Sequence, residues 1–288
     1  MKIGIATCHS RKHLSEDDRF MLSAFRKRSI ETDIVIWNDT EVDWGQFDYL
    51  IIRSIWDYHL QPDLFRRWLD TLDEIGTKTL NPVSLIRSNM HKFYLRWLEE
   101  TGVKIIPTLF VGSGDRVEPS FLDDLGWEKA VIKPAVSASA YLTKLVDRST
   151  VAKEMAFLQA ETVKRDWLIQ KFIPEIQSFG ELSMMFFNRR YSHTILKQAS
   201  QGEFRVQSEY GGSTSLYKPS KATIEVAEDI LSRFDGDILY TRVDGVMIND
   251  EFVLMEIELI EPHLFFNQFP VAQRSFIDAA IELCHKSV

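Results

Sequence analysis

The chain has 288 residues, too many for one minimal core and the right number for two or three packed subdomains of about 100 residues each. Apolar residues make up 45% and charged residues 26%, as in an ordinary soluble globular protein, and 34 basic against 42 acidic residues leave a net charge of −8. That balance argues against a nucleic-acid binder, whose affinity rests on neutralising phosphates, but it leaves room for one basic pocket that holds a small anion. Cys8 and Cys284 are the only cysteines, too few for a disulfide framework or a four-cysteine zinc site, so a reducing cytoplasm is the expected setting. The N-terminus lacks the apolar run of a signal peptide, and no stretch approaches the ~18 apolar residues of a membrane span.

In the first third, strands and helices alternate. Residues 2–7 predict a strand. Ser15, with Asp18 three residues on, predicts the cap of a helix carrying Phe20, Met21, Leu22 and Phe25. Thr32–Trp37 and Asp48–Arg53 are apolar, β-branched runs, and Leu64, Phe65, Trp68, Leu69 and Leu72 then recur at helical spacing. This alternation predicts a parallel sheet flanked by helices. Asn81-Pro82 reads as a closing turn.

The middle predicts a helix from His91 to Glu100, strands at Ile105–Phe110, Ala130–Lys133, Tyr141–Val146 and Trp167–Phe172, and a helix from Ser149 to Gln159. This order is α+β. The last part is strand-rich from Leu182 to Val206 and passes through a glycine-containing loop at Tyr210–Thr214. It continues with a helix from Pro219 to Phe234, two strands at 238–248 and 252–258, and a helix from Val271 to His285. The expected division is 1–88, an α/β subdomain; 89–172, a central α+β subdomain; and 173–288, a C-terminal α+β subdomain.

The two late strands carry the most informative chemistry. Side chains alternate faces along a strand. Thr241, Val243, Gly245 and Met247 with Val253, Met255 and Ile257 predict an apolar face; Arg242, Asp244, Glu256 and Glu258 lie on the other. A three-residue loop at Asn249, Asp250 and Glu251 would set Asp244 opposite Glu256 and Arg242 opposite Glu258. Three carboxylates on one face repel unless something positive sits among them, and Mg²⁺ combines one or two carboxylates with substrate phosphates. Read alone, the face is either a metal site or a solvated face with an Arg242–Glu258 ion pair.

Upstream, Lys133 ends an apolar run beside Pro134-Ala135-Val136-Ser137-Ala138-Ser139-Ala140, a loop of small residues able to hold a phosphate with backbone N–H groups. Trp167–Pro174 is an apolar strand leaving through a proline. Lys92, Lys197 and Arg205 are either phosphate contacts or surface charges.

Taken in order and spacing, Lys92, the Lys133-Pro134 loop, Gln170 to Ile173, Glu181, Arg205 before Gly211-Gly212, and Asp244/Glu256/Glu258 resemble the ATP-grasp superfamily, in its glutathione-synthetase and RimK-like branch. Arg53-Ser54-Ile55-Trp56-Asp57-Tyr58, Pro107-Thr108, Lys133–Ser137 and Met255–Pro262 are similar to the cyclo-ligase type within it, which closes O-ureidoserine into a ring in cycloserine biosynthesis. The resemblance implies an ATP-grasp fold, with an N-terminal parallel α/β subdomain and two α+β subdomains enclosing ATP. It implies that Lys92 and Lys133 hold phosphates, that Gln170, Lys171, Phe172 and Ile173 contact adenine, and that Glu181 holds the ribose. It implies Asp244, Glu256 and Glu258 as ligands for one or two Mg²⁺ ions, with Mn²⁺ a substitute. Arg205, Lys197 and Arg242 are the catalytic candidates, and Arg242 and Arg53 the candidates for the acceptor carboxylate. The sequence departs from the wider family twice: Ala and Ser stand where the phosphate loop usually has glycines, and Glu258 stands where the third metal ligand is usually Asn.

The implied chemistry activates a carboxylate as an acyl phosphate that a nitrogen nucleophile then attacks. The substrates expected are an amino acid or small peptide plus the nucleophile, with neither nucleic acid nor membrane as partner. Dimers are common among such enzymes, though no surface pattern in the sequence argues for one. A phosphotransferase that forms no C–N bond and a nucleotide-binding regulator without turnover are the alternatives.

Overall fold

A computed structural model of the protein describes residues 1–200, 202–203, 205–206 and 210–286. Its first sheet is wholly parallel and comprises β1 (Lys2–Thr7), β2 (Glu31–Ile36), β3 (Tyr49–Ile52) and β4 (Lys78–Leu80) in the order β2-β1-β3-β4. Alternation along these strands feeds two cores. Ile3, Ile5, Tyr49 and Ile51 face α1 (Phe20–Arg26), while Ala6, Leu50 and Ile52 face the aromatic-rich α2 (Pro62–Ile75) through Phe65, Trp68, Leu69 and Leu72. Both helices had been expected. The cap had been expected too, but it is not made. α1 begins at Phe20 with Arg19 in the cap position; Ser15 Oγ instead donates to Asp18, whose other oxygen takes the Arg53 guanidinium. The short β4 and the helix α3 (Val83–Met90) were not foreseen.

The second sheet is antiparallel and comprises β5 (Thr108–Val111), β6 (Lys129–Pro134), β7 (Lys144–Asp147) and β8 (Trp167–Lys171) in the order β5-β8-β6-β7. It is backed by α6 (Val151–Glu161), which follows the small α5 (Phe121–Asp124). α4 (Tyr94–Glu100) starts three residues later than the expected His91, so Lys92 lies in the connection between α3 and α4. Its apolar side joins the core under the third sheet, through Tyr94, Leu95 and Leu98.

The third sheet is antiparallel and contains β9 (Glu181–Phe187), β10 (Arg190–Gln198), β11 (Ser213–Tyr217), β12 (Tyr240–Ile248) and β13 (Glu251–Glu258) in the order β11-β10-β9-β12-β13. The short α7 (Glu175–Ser178) precedes it, and α8 (Lys221–Ser232) packs against its core. Two residues of the expected Tyr210–Thr214 loop are strand here: Ser213 and Thr214 pair with Gln198 and Lys197. Each sheet falls inside one of the segments 1–88, 89–172 and 173–288, but the last helix packs on the first segment as well as on its own β9 and β10. α9 (Val271–Lys286) packs on α1, so Phe276, Ile277, Ala280 and Leu283 share one core with Ile3, Ile5, Met21 and Phe25.

The β12–β13 hairpin reaches the expected pairing by another route. Arg242 is opposite Glu258 and Asp244 opposite Glu256, but Ile248 pairs with Glu251, leaving a two-residue turn. Asn249 and Asp250 take φ of 50° and 64°, the left-handed pair of a type I′ turn. A bulge beyond Asp244 then absorbs one extra residue, Met255, and restores the register at the carboxylates. The bulge also changes the faces. Val253 and Met255 join Val246 and Ile248, whereas Phe252, Leu254 and Ile257 join Val243. The single apolar face expected from strict alternation is therefore split at Met255.

Candidate active site

A cavity of about 460 Å³ is lined from the second and third sheets and from the first sheet's C-terminal loops. Lys92, Lys133, Gln170, Lys171, Phe172, Ile173, Glu181, Lys197, Arg205, Arg242, Asp244, Glu256 and Glu258 all line it. Arg53 does not. It is 2% exposed, paired with Asp18 at 3.0 Å, and donates to the Pro262 carbonyl at 2.8 Å. It ties Asp18 to the segment behind the cavity.

At one end, β8 runs out into the hinge. Gln170 donates through Nε2 to Thr108 at 3.1 Å. The backbone N–H groups of Lys171 and Phe172 donate to the carbonyls of Pro107 and Lys129 at 2.9 and 3.0 Å.

Lys133 leaves the end of β6, and the loop after it carries three non-glycine residues with positive φ: Ser139 at 50°, Ala140 at 54° and Leu142 at 53°. Lys92 is anchored to this loop twice: its N–H donates to the Ala135 carbonyl at 2.9 Å and its Nζ to the Ser137 carbonyl at 2.6 Å. Both lysines converge on Glu256, Lys92 at 3.1 Å and Lys133 at 3.7 Å. Burial lowers the Lys133 pKa in spite of Glu256. Burial also opposes the charge on Glu256, but the two lysines prevail and hold its pKa below the usual value.

The third sheet contributes a second set of charges. Gly180 sits at φ 123°, and a Cβ there would stand 2.5 Å from the Lys197 carbonyl. Only glycine lets β9 start this close to β10, and the result is a buried Glu181–Lys197 ion pair. Lys197 also reaches Asp244 at 3.5 Å. Asp244 takes two guanidinium nitrogens of Arg242, with Nη2 at 2.8 Å, and the Ser183 hydroxyl donates to it. Burial would raise its pKa, but Arg242 and Lys197 outweigh that and hold it at about 2. Arg242 also pairs with Glu258, the ion pair foreseen from the strand pattern. For Glu258, burial wins over Arg242 and, with Asp244 and Glu256 nearby, pushes the pKa up to about 7. Arg205 is held by Glu203 at 2.7 Å and lies over the Tyr210 ring at 3.5 Å.

Among the described residues, no three His, Cys, Asp or Glu side chains are grouped closely enough to form a ready-made metal centre. Asp244, Glu256 and Glu258 are hard oxygen donors beside one cavity, but each is satisfied by Lys or Arg.

What holds these carboxylates in place escaped the sequence reading. Beyond Glu258 the backbone is irregular, yet its carbonyls are taken in turn by side chains, as buried backbone requires. Asn89 and Tyr94 donate to Ile257 at 2.8 and 2.9 Å, Asn81 to Leu259 at 2.7 Å and Tyr240 to Ile260 at 2.8 Å. Trp56 donates to Glu261 at 3.1 Å, Arg53 to Pro262, Arg242 to His263 at 3.2 Å and His193 to Leu264 at 3.0 Å. The segment thus presents Glu258, Glu261 and His263 to the cavity on a fixed track. Glu261 stood inside the Met255–Pro262 run but was given no role there, and Ser183 had no motif to mark it.

Residues 3–81 match the family described as the N-terminal domain of D-cycloserine synthetase DcsG. The cycloserine biosynthesis protein DcsG of Streptomyces lavendulae is 27% identical over 186 residues, 62% of this chain and 61% of the relative, so the alignment spans less than two thirds of that protein. The crystal structure of D-cycloserine synthetase DcsG superposes with a TM-score of 0.88 at 22% identity, covering 99% of this chain and 100% of that one. D-alanine–D-alanine ligase from Bacillus anthracis, complexed with ATP, gives 0.66 at 15% identity over 100% of this chain and 98% of that one. A RimK-domain ATP-grasp protein from Sphaerobacter thermophilus gives 0.67 at 15% identity over 97% and 96%. The parallel first sheet, the two antiparallel sheets and the charged cavity they share are the ATP-grasp fold, and along it this chain is similar to the D-cycloserine synthetase.

Proposed function

We propose that the protein is an ATP- and Mg²⁺-dependent ligase that activates a carboxylate as an acyl phosphate for attack by a nitrogen nucleophile. The carrying observation is the convergence of Lys92 and Lys133 on Glu256, beside Arg242 and Lys197 on Asp244, within one cavity. A site meant only to bind nucleotide has no need of two cation–carboxylate sets side by side on one hairpin at the cavity wall.

In this reading adenine lies against Gln170, Lys171, Phe172 and Ile173, and Lys92 and Lys133 take the phosphates. Lys92, tethered to the Ala135–Ser137 loop, keeps the phosphate loop and the γ-phosphate in one frame. Glu181 stands where the ribose would lie, with Lys197 as its present partner. Glu256 and Glu258 are the ligands best disposed for Mg²⁺, which takes one or two carboxylates and completes its shell with phosphate oxygens. Asp244 is the least available, being held by Arg242, Lys197 and Ser183. When bound, Mg²⁺ would neutralise charge on the transferring phosphoryl group. A carboxylate oxygen of the acceptor attacks the γ-phosphorus and ADP leaves. The nitrogen nucleophile then attacks the acyl carbon, and inorganic phosphate leaves with the bonding pair. Arg242, Lys197 and Arg205 supply positive charge around the phosphoryl oxygens, where pre-placed cations lower the barrier.

The substrates in this proposal are small molecules of the amino-acid or short-peptide class. No helix among the described residues is long and apolar enough to cross a membrane, and the buried free thiols of Cys8 and Cys284 suit a reducing cytoplasm. The test is calorimetry with a non-hydrolysable ATP analogue, with and without Mg²⁺, followed by an amino-acid screen for ADP and phosphate release. Mg²⁺-dependent binding and phosphate release that needs both carboxylate and nucleophile support the ligase. ATP binding indifferent to Mg²⁺ favours a regulator, and a phosphorylated product without a C–N bond favours a phosphotransferase.

A further inference from the structure

Among the described residues, one histidine lines the cavity, His263. Its carbonyl accepts from Arg242 Nη1 at 3.2 Å, and Arg242 in turn holds Asp244 and Glu258. The ring packs edge-on against Phe265 at 4.4 Å. The backbone on either side is pinned, by Arg53 on the Pro262 carbonyl and by His193 on that of Leu264. His193 shows what a structural histidine looks like in this fold: it is 4% exposed, with Nδ1 on Ser192 and Nε2 on Leu264. The His263 side chain is 39% exposed, and among the described residues neither of its ring nitrogens makes a hydrogen bond.

Behind that ring lies Asp17, its side chain 2% exposed. Oδ1 accepts the Asn267 N–H at 2.8 Å. Oδ2 is buried, has no hydrogen-bond partner among the described residues, and stands 3.7 Å from His263 Nε2. A buried carboxylate oxygen left unpaired is costly. It gains its donor when the imidazole takes up a proton and the two close into a charge-assisted pair. A carboxylate facing Nε2 also favours the tautomer with the proton there, which leaves Nδ1 as the free base. Four charges face the ring: Asp17 and Asp18 from the segment before α1, Arg53 from the end of β3 and Arg242 from β12. Burial lowers its pKa, helped by the two arginines and opposed by the two aspartates, so the ring is neutral at pH 7 and able to accept a proton.

We propose that His263 is the general base of the second half-reaction, with Asp17 as the residue that positions it. The proposal rests on the ligase reading of the same cavity and adds the proton acceptor to it. As the nitrogen attacks the acyl carbon, the C–N bond forms, the bond from that carbon to the phosphate oxygen breaks, and the proton leaving nitrogen passes to Nδ1. Asp17 stabilises the imidazolium until solvent takes the proton away.

The test uses full-length protein, ATP and Mg²⁺, with D- and L-alanine and D- and L-serine as both carboxylate and amine. ADP release is followed with and without hydroxylamine, a nucleophile that is uncharged at neutral pH and needs no base. His263→Asn should lower ADP release in the amine reaction about 100-fold or more, while hydroxamate formation stays within a few-fold of wild type. The wild-type kcat/KM should fall as the pH drops through the His263 pKa, because the base must be neutral, and this limb should vanish in the variant. NMR of ¹⁵N-histidine-labelled protein supplies a measurement that needs no turnover. Asp17→Asn, which keeps an acceptor for the Asn267 N–H, should lower the His263 pKa further by about one pH unit. Equal losses with amine and hydroxylamine, an acid limb that survives His263→Asn, or a His263 titration indifferent to Asp17→Asn each overturn the base and leave the ligase standing. A wild type that binds a non-hydrolysable ATP analogue with Mg²⁺ but releases ADP with none of these compounds, hydroxylamine included, removes the ligase reading and the base with it.

Discussion

Asp244 and Glu256 face each other directly across β12 and β13, yet their carboxylates answer to different cations, Asp244 to Arg242 and Glu256 to Lys92. The second sheet and its loop therefore grip Glu256, whereas Asp244 is held by the third sheet's own side chains. Glu256→Gln keeps the shape and removes the anion that Lys92 and Lys133 share. Mg²⁺-dependent affinity for a non-hydrolysable ATP analogue should fall by about tenfold or more, measured by calorimetry. Mg²⁺-independent binding should hold or improve, because both lysines are released to the phosphates. Equal loss with and without Mg²⁺ would remove Glu256 from the metal site.

Gly245 lies at the bulge, and a Cβ there would stand 2.3 Å from Phe252 Cζ and 2.6 Å from the Val253 carbonyl. The ring could turn, but the backbone carbonyl could not without disturbing the hairpin. Gly245→Ala should lower unfolding stability by about 3 kcal/mol in urea titration and should weaken nucleotide binding through the shifted register.

Asn81 is fully buried at φ 77° and spans two elements. Nδ2 donates to the carbonyls of Tyr240 and Leu259 at 2.9 and 2.7 Å, and Oδ1 accepts from the Leu239 N–H at 2.7 Å. Asn81→Ala leaves those three backbone groups buried and unpaired. The expected loss is about 3 kcal/mol or more, read from chemical denaturation. Asn81→Asp should rescue only the Leu239 contact.

His193 is packed against Phe269 and donates from Nε2 to the Leu264 carbonyl. Burial lowers its pKa to about 4. Because the folded value lies below the unfolded one, its neutral form contributes stability fully above pH 6.5. That contribution is lost as the pH falls from about 6.5 toward about 4, because the unfolded chain takes up the proton first. The loss should reach about 3 kcal/mol near pH 4. In denaturation curves at several pH values, His193→Gln should flatten this part of the slope, and an unchanged slope would assign the acid sensitivity elsewhere.

Much of the fold was legible because its signals are local. Alternation in β1 and β3 and helical spacing at Phe65, Trp68, Leu69 and Leu72 are properties of short windows. The charges of Arg242, Asp244, Glu256 and Glu258 were legible as a pattern, and their pairing followed from amphipathicity. The turn that achieves it was misread, since a two-residue loop plus a bulge and a three-residue loop give the same pairing at the carboxylates. Arg53 was offered for the acceptor carboxylate because an arginine beside an apolar strand reads the same whether it meets a substrate or, as the structure has it, pairs with a buried Asp18. Asn81 read as a turn residue and turned out to be a clamp, a role fixed by Leu239, Tyr240 and Leu259, some 160 or more positions along the chain. Glu261 lay inside the quoted Met255–Pro262 run, but nothing local gave it a role, because its surroundings at the cavity wall come from distant segments.

The last helix, α9, forms one core with α1 and with the first strand. During synthesis that strand emerges first and its cover last. Until residues 271–286 have left the ribosome, Ile3, Ile5, Met21 and Phe25 lack much of the surface they finally bury against. The first core is complete only once the final helix is in place, with the Tyr49 hydroxyl donating to the Cys284 carbonyl at 2.7 Å.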